Sequence, residues 1–143
     1  MALFSEIWST GSDRLPLAAN AGQEDVHRQR WREAAARSGD DELAAYAAAV
    51  LDSTDPEDAC GSRLLTAIFG NSAFLSQCLI SDLPFARRLL ESGPDAAFEA
   101  ALAAAADRSA LAVETTDQVK KRLRVAKQRA ALTIGAADIA IVW

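Results

Sequence analysis

The chain has 143 residues, and 15 Lys and Arg against 20 Asp and Glu give a formal net charge of −5. That length makes one domain the default, and a composition half hydrophobic and about a quarter charged excludes a disordered chain. Aromatics fall to 6% while Ala is abundant and Pro and Gly are few, which favours helix over a β sandwich or barrel, because Ala loses no side-chain entropy in a helix.

Residues 1–22 contain Gly11, Pro16, Asn20 and Gly22 with weak periodicity, and read as an irregular arm with a short turn near Phe4–Trp8. A helical domain is expected over 23–143. From Gln23 the spacing of Val26, Arg30, Glu33 and Arg37 predicts a first helix, stopped at Ser38-Gly39. A second, about Asp41–Leu51, opens with acids that suit its positive end and carries Leu43, Tyr46, Ala47 and Val50 on one face. Asp55-Pro56 then reads as a cap followed by a proline at the first helical position, opening a third helix to about Phe69 with a stripe at Cys60, Leu64, Ala67 and Ile68. Gly70-Asn71-Ser72 ends it, and Ser72 caps a fourth over about Ala73–Ser81, with Phe74, Leu75, Cys78 and Leu79 apolar. Asp82-Leu83-Pro84 starts a fifth, to about Glu91, and Pro94-Asp95 a sixth, to about Ala106. Thr115 three residues ahead of Gln118 has the spacing of a capping box and starts the last helix, whose apolar stripe is Val119, Leu123, Ala126, Ala130, Ile134 and Ala137. The fold class is therefore all-α: about seven helices in a compact bundle, the C-terminal one long, basic first and then apolar.

Two features remain to be explained. Residues 120–129 hold six cations and no acid. A solvated face partly paired with the acid-rich front half is the plainest account, since residues 1–71 carry 6 cations against 12 acids. A docking surface made of Lys120, Lys121, Arg124 and Lys127 is the second account. Nucleic-acid binding is the third; an acidic chain with no aromatic interleaved among these cations argues against it. The other feature is the end: from Ala130 to Trp143 only Asp138 is charged, and Ile139-Ala140-Ile141-Val142-Trp143 reads as a cut rather than as a polar, frayed terminus. The chain is thus expected to be the front piece of a larger protein.

No active site emerges. His27 stands alone among Arg28, Arg30 and Arg32 on a polar helix and is expected to be structural or surface. Cys60 and Cys78 have no CxxC or Cys/His spacing and read as reduced thiols in or near the core. Phosphate-cradling and nucleophile-elbow motifs are absent from the sequence. The acids at Asp40-Asp41-Glu42 and at Asp55, Glu57 and Asp58 sit at helix starts, where the dipole explains them without a metal. No catalytic, cofactor-binding or metal-binding residue is assigned. There is no run of about 18 apolar residues to span a membrane, and the opening lacks the basic and apolar regions of a signal peptide, so the cytoplasm is expected.

Gly70-Asn71-Ser72-Ala73-Phe74-Leu75, followed by Leu89-Leu90, resembles a GNSPFL segment near the front of the bacterial glutamine synthetase adenylyltransferase family. Leu123 to Ala130 is similar to that family's basic helix, and Ala136-Ala137-Asp138-Ile139-Ala140 with Val142-Trp143 to the segment after it. The resemblance covers roughly residues 60–143. It implies a large bifunctional parent that transfers AMP from ATP to a tyrosine of glutamine synthetase and removes it by phosphorolysis. In that parent, residues 23–143 would be the front of the nucleotidyltransferase-like deadenylylating domain. Mg²⁺ and ATP are implied for the parent, as are glutamine synthetase, a PII-type signalling protein and the remainder of the polypeptide as partners. The family's Gly-Ser-x-Asp-x-Asp motif does not occur here, so no catalytic role is carried over. The alternative from another class is a freestanding all-α interaction module whose apolar C-terminus forms a homodimer seam.

Overall fold

A computed structural model describes residues 2–143, with side chains at all of these but 12, 110 and 111; Met1 of the arm lies outside the described residues. The helices are α1 (Ala21–Arg37), α2 (Asp41–Asp52), α3 (Ala59–Asn71), α4 (Ala73–Ser81), α5 (Leu83–Ser92), α6 (Pro94–Ala105), the single turn α7 (Arg108–Leu111) and α8 (Thr116–Ile139). No strand occurs among the described residues, and the all-α class with a long last helix stands. Short 3-10 turns lie at Glu6–Ser9, Ser12–Arg14 and Pro56–Asp58.

The boundaries follow side-chain oxygens that accept N–H groups left free in each first turn. Asn20 accepts from Gln23, Asp40 from Leu43, Ser72 from Leu75 and Asp82 from Phe85. The capping box of α8 is closed in both directions, Thr115 Oγ1 accepting from Gln118 N–H and Gln118 Oε1 from Thr115 N–H. Asn20 is the cap the spacing missed, so α1 begins at Ala21 rather than Gln23.

Helix α3 is the centre of the bundle, touching α1, α2, α4, α8 and the arm's 3-10 turns, while α8 lies mainly on α6 and α4. The four predicted core residues of α2 are its four buried ones. The stripe of α8 is rotated from its predicted face, while α4 departs at one of its four named positions. On α1 the buried line is His27, Trp31 and Ala35, with Val26 half exposed. On α4 Phe74 faces solvent while Leu75, Cys78 and Leu79 are buried. On α8 Leu132, Thr133, Ala136 and Ala137 are buried and Leu123 and Ile134 are half exposed. In α1 an indole and an imidazole that can reach carbonyls displace Val26. In α8 small side chains permit close approach to α6.

The arm is irregular between its turns yet packed. Phe4 and Trp8 are buried, and the Trp8 indole and the Ser5 N–H both donate to the Leu90 carbonyl, at 3.0 and 2.7 Å. Four carbonyls near the end of α3 are filled. Ala67 accepts from Asn71 Nδ2, Ile68 from Ser72 N–H, Phe69 from His27 Nδ1 and Gly70 from Asn20 N–H. Asn71 also donates to Leu17 O and accepts from Ala19 N–H, tying the arm to the α3–α4 corner. At the other end, α8 closes with bonds from Ile141 N–H to Asp138 O and Val142 N–H to Ala137 O. Ile141 takes the left-handed conformation (φ 55°) that usually falls to glycine in this motif. The apolar run after Ala130 packs on the chain's own helices, with Ile134, Ile141 and Trp143 half exposed. No single helix among the described residues is long and apolar enough to cross a membrane; Pro56–Asn71 and Ala73–Ser81 pass only together, across a 119° bend.

A Cβ added at Gly70 would run into the Cβ and Cα of Ala18, whereas one at Gly22 meets only the Asn20 side chain at 3.4 Å. Gly70→Ala is expected to lose roughly 1–3 kcal/mol by forcing the arm away. Gly22→Ala should be neutral or gain up to about 1 kcal/mol from helix propensity. Urea unfolding of the two variants checks the contrast.

Candidate docking surface

The six cations of 120–129 separate into two groups by helical position. Arg122 and Arg129, seven residues apart, turn inward. Arg122 bonds Glu114 at 3.1 Å and donates to the carbonyls of Ala104 and Ala105 at 2.7 and 2.9 Å, filling the open end of α6. Arg129 grips Asp82 with two bonds, at 2.6 and 3.2 Å, and lies 5.1 Å from the centre of the Phe85 ring. Beside it, Gln128 donates to Ser81 Oγ at 3.0 Å. These contacts lock the middle of α8 to the α4–α5 corner.

Lys120, Lys121, Arg124 and Lys127, the expected docking residues, are all exposed and have no ion pair among the described residues. Lys120, Arg124 and Lys127 recur at i, i+4 and i+7 on the outward face; Lys121 sits at its edge, toward α6. A solvated face, partly paired, describes this arrangement, with the pairing made to Glu114 and Asp82 rather than to acids of residues 1–71; the docking account concerns the four that are left unpaired. Helix α8 carries six cations and two acids, +4, so the rest of a −5 chain carries −9. Like charges on one face repel by a few tenths of a kcal/mol per pair. The four cations are thus an uncompensated feature of an otherwise acidic domain.

The other residues weighed for chemistry have structural roles. His27 is buried, its Nδ1 bonded to the Phe69 carbonyl at 2.8 Å, which requires the Nδ1–H form. Asp40 and Asp55 use their carboxylates as caps, and Asp58 accepts from Ser53 Oγ at 2.6 Å. Gly70-Asn71-Ser72 spends its polar groups on the α3–α4 corner. The Mg²⁺ and ATP implied by the resemblance find no fitting donor set in these engaged acids, and no step is derived through them. Among the described residues no group of three His, Cys, Asp or Glu side chains is placed to hold a metal ion. Tyr46 is pushed up well above the usual phenol range, first by burial and then by the Glu91 carboxylate, and donates to Leu3 O at 2.8 Å. Cys60 and Cys78 are free thiols; burial pushes the Cys78 thiol up, against a smaller opposing effect of Gln128.

No protein-family model, curated protein or solved structure matches the chain.

Two outcomes test this division. Arg129→Ala should cost about 1–3 kcal/mol, because it strips a charged partner from half-buried Asp82 and uncovers Phe85. Arg124→Ala should stay within about 0.5 kcal/mol. Thermal unfolding of both decides whether the inward and outward cations differ. Iodoacetamide should alkylate native protein at Cys60 alone and unfolded protein at both thiols, read by intact mass, since a buried thiol with a raised pKa offers little thiolate.

Proposed function

We propose that this chain is the N-terminal helical part of a bifunctional cytoplasmic enzyme that adenylylates and deadenylylates a tyrosine of glutamine synthetase. Its part there is not catalytic. The supporting observation is that the three segments carrying the resemblance lie side by side. The Gly70-Asn71-Ser72 corner joins α3 to α4, and the basic-then-apolar run is α8, which packs on both helices. The outward face of α8, with Lys120, Lys121, Arg124 and Lys127 unpaired, is then the surface offered to the deadenylylating domain or to a regulatory partner. Catalytic carboxylates, Mg²⁺ and ATP would belong to the following part of the polypeptide. Glutamine synthetase and a PII-type signalling protein would be partners of the whole enzyme.

A freestanding interaction module is the competing reading, favoured by half-exposed Ile134, Ile141 and Trp143. The source gene read beyond the codon for Trp143 separates the two. A continuing frame with Gly-Ser-x-Asp-x-Asp supports the enzyme; an immediate stop codon rejects it, and a concentration-dependent dimer would then support the module. In the full-length enzyme, Lys121→Glu, Arg124→Glu and Lys127→Glu together should slow AMP removal at least severalfold while leaving the unfolding midpoint in place. Unchanged AMP removal would reject the docking role of this face.

A further inference from the structure

Where α8 passes α6 and the start of α5, the surface is concave. Two adjoining hollows, of about 240 and 270 Å³, lie on either side of the Arg129 side chain and share Ala101, Ala104 and Arg129 as walls. The floor is small and apolar: Ala101 and Ala104 from α6, Val125 and Ala126 from α8. Its rim is cationic on both sides. Lys121 stands on the α8 edge and Arg88 on the α5 edge, both exposed and neither in an ion pair among the described residues. Lys120 and Arg124 extend the positive charge outward from the Lys121 edge.

We propose that this groove docks an amphipathic helix of a partner protein, one whose apolar stripe is flanked by Asp and Glu. The small floor residues allow a helix backbone to approach closely, as in grooves that take helices through anchors at i, i+3, i+4 and i+7. Residues 121–129 of α8 run about 12 Å, room for roughly two turns of a bound helix. Charge complementarity selects the acidic flank, because unpaired cations on both rims of the groove attract an acidic partner to an otherwise acidic body. A nucleic acid fits less well: the nearest aromatic, Phe85, is buried beneath Arg129 and offers no stacking face. A membrane fits less well too, since the apolar residues form a hollow rather than a protruding face. The exposed face of α1 is no such ligand, since it carries Val26 among Gln29, Arg30 and Glu33 rather than an apolar stripe; self-association of the chain through this groove in place of peptide binding overturns the proposal. The inference stands on the groove alone and holds for a freestanding module as for a part of an enzyme.

The test uses the full 143-residue chain and a displayed library of helical peptides of about 16 residues, roughly 24 Å long. One face of each peptide is varied among Leu, Ile, Val, Met and Phe, and the flanks among Asp and Glu. Selected peptides are expected to bind in the micromolar range, to weaken as salt rises, and to shift amide resonances at residues 84–88, 100–104 and 121–129. Arg88→Glu with Lys121→Glu should weaken binding at least about tenfold, and Ala104→Glu should do so by filling the groove, while Arg30→Glu on α1 leaves it unchanged. The proposal is overturned if the library yields no binder that shifts these resonances, or if a scrambled peptide of equal charge binds as well. Binding of phosphatidylglycerol vesicles or a DNA duplex in preference to every peptide overturns it equally. The resonance shifts are read on the unaltered chain, so instability of a variant would leave the result decisive.

Discussion

A carbonyl left free at the end of one helix holds the N-terminal arm in place. Helix α5 ends at Ser92, Gly93 turns the chain away and Pro94 brings no N–H, so the Leu90 carbonyl is one of the helix-end carbonyls without a helical donor. An unfilled buried carbonyl costs on the order of 1–3 kcal/mol. Ser5 N–H and the Trp8 indole both fill it. Gly93 makes the approach possible. Its φ of +85° turns the chain between α5 and α6, and a Cβ there would come within 3.0 Å of Ile7. Filling that carbonyl ties the first of the arm's two 3-10 turns to the core, where Phe4 and Trp8 are buried.

The same principle governs the α3–α4 corner. Helices of nine to thirteen residues have many ends relative to their length, and α3 ends with Gly70 buried and Asn71 exposed. Its carbonyls from Ala67 to Gly70 take donors from different sources: a side chain of its own, the residue that caps the next helix, α1 and the residue that caps α1. No buried side-chain nitrogen or oxygen among the described residues is left without a partner. Short helices are thus compatible with a dry interior because loops and imidazole supply what a longer helix would supply from itself.

The helices were legible because their punctuation is chemical and local. Asp55, Ser72, Asp82 and Thr115 cap where the sequence places them; Pro94 opens α6 as expected, whereas Pro56 opens a 3-10 turn ahead of α3 and Pro84 is the second residue of α5. Which face is buried was less legible wherever a polar-tipped side chain does the packing. Hydrophobicity points to Val26, but His27 and Trp31 can satisfy carbonyls of α3 and α2 while burying their rings. Likewise Leu123 and Ile134 mark a more apolar line on α8 than Arg122 and Arg129, yet those arginines have carboxylates and helix-end carbonyls to reach. Such partners lie 8 to 47 residues away in sequence, beyond any local pattern.

The candidate surface was legible as a cluster and not as a division of labour. Six cations in ten residues look equivalent until the helix is drawn: Arg122 and Arg129 share one face, and Lys120, Arg124 and Lys127 share the opposite one. Had all six been pairing partners for the acidic front half, the outward three would have turned toward α1 and α2. Instead α8 lies against α4 and α6, and its two paired cations meet Asp82 and Glu114, neither of them in the front half. A net acidic protein that holds a positive ridge beside an apolar hollow has an orientation-dependent field, and such a field selects the sign and the direction of what approaches it.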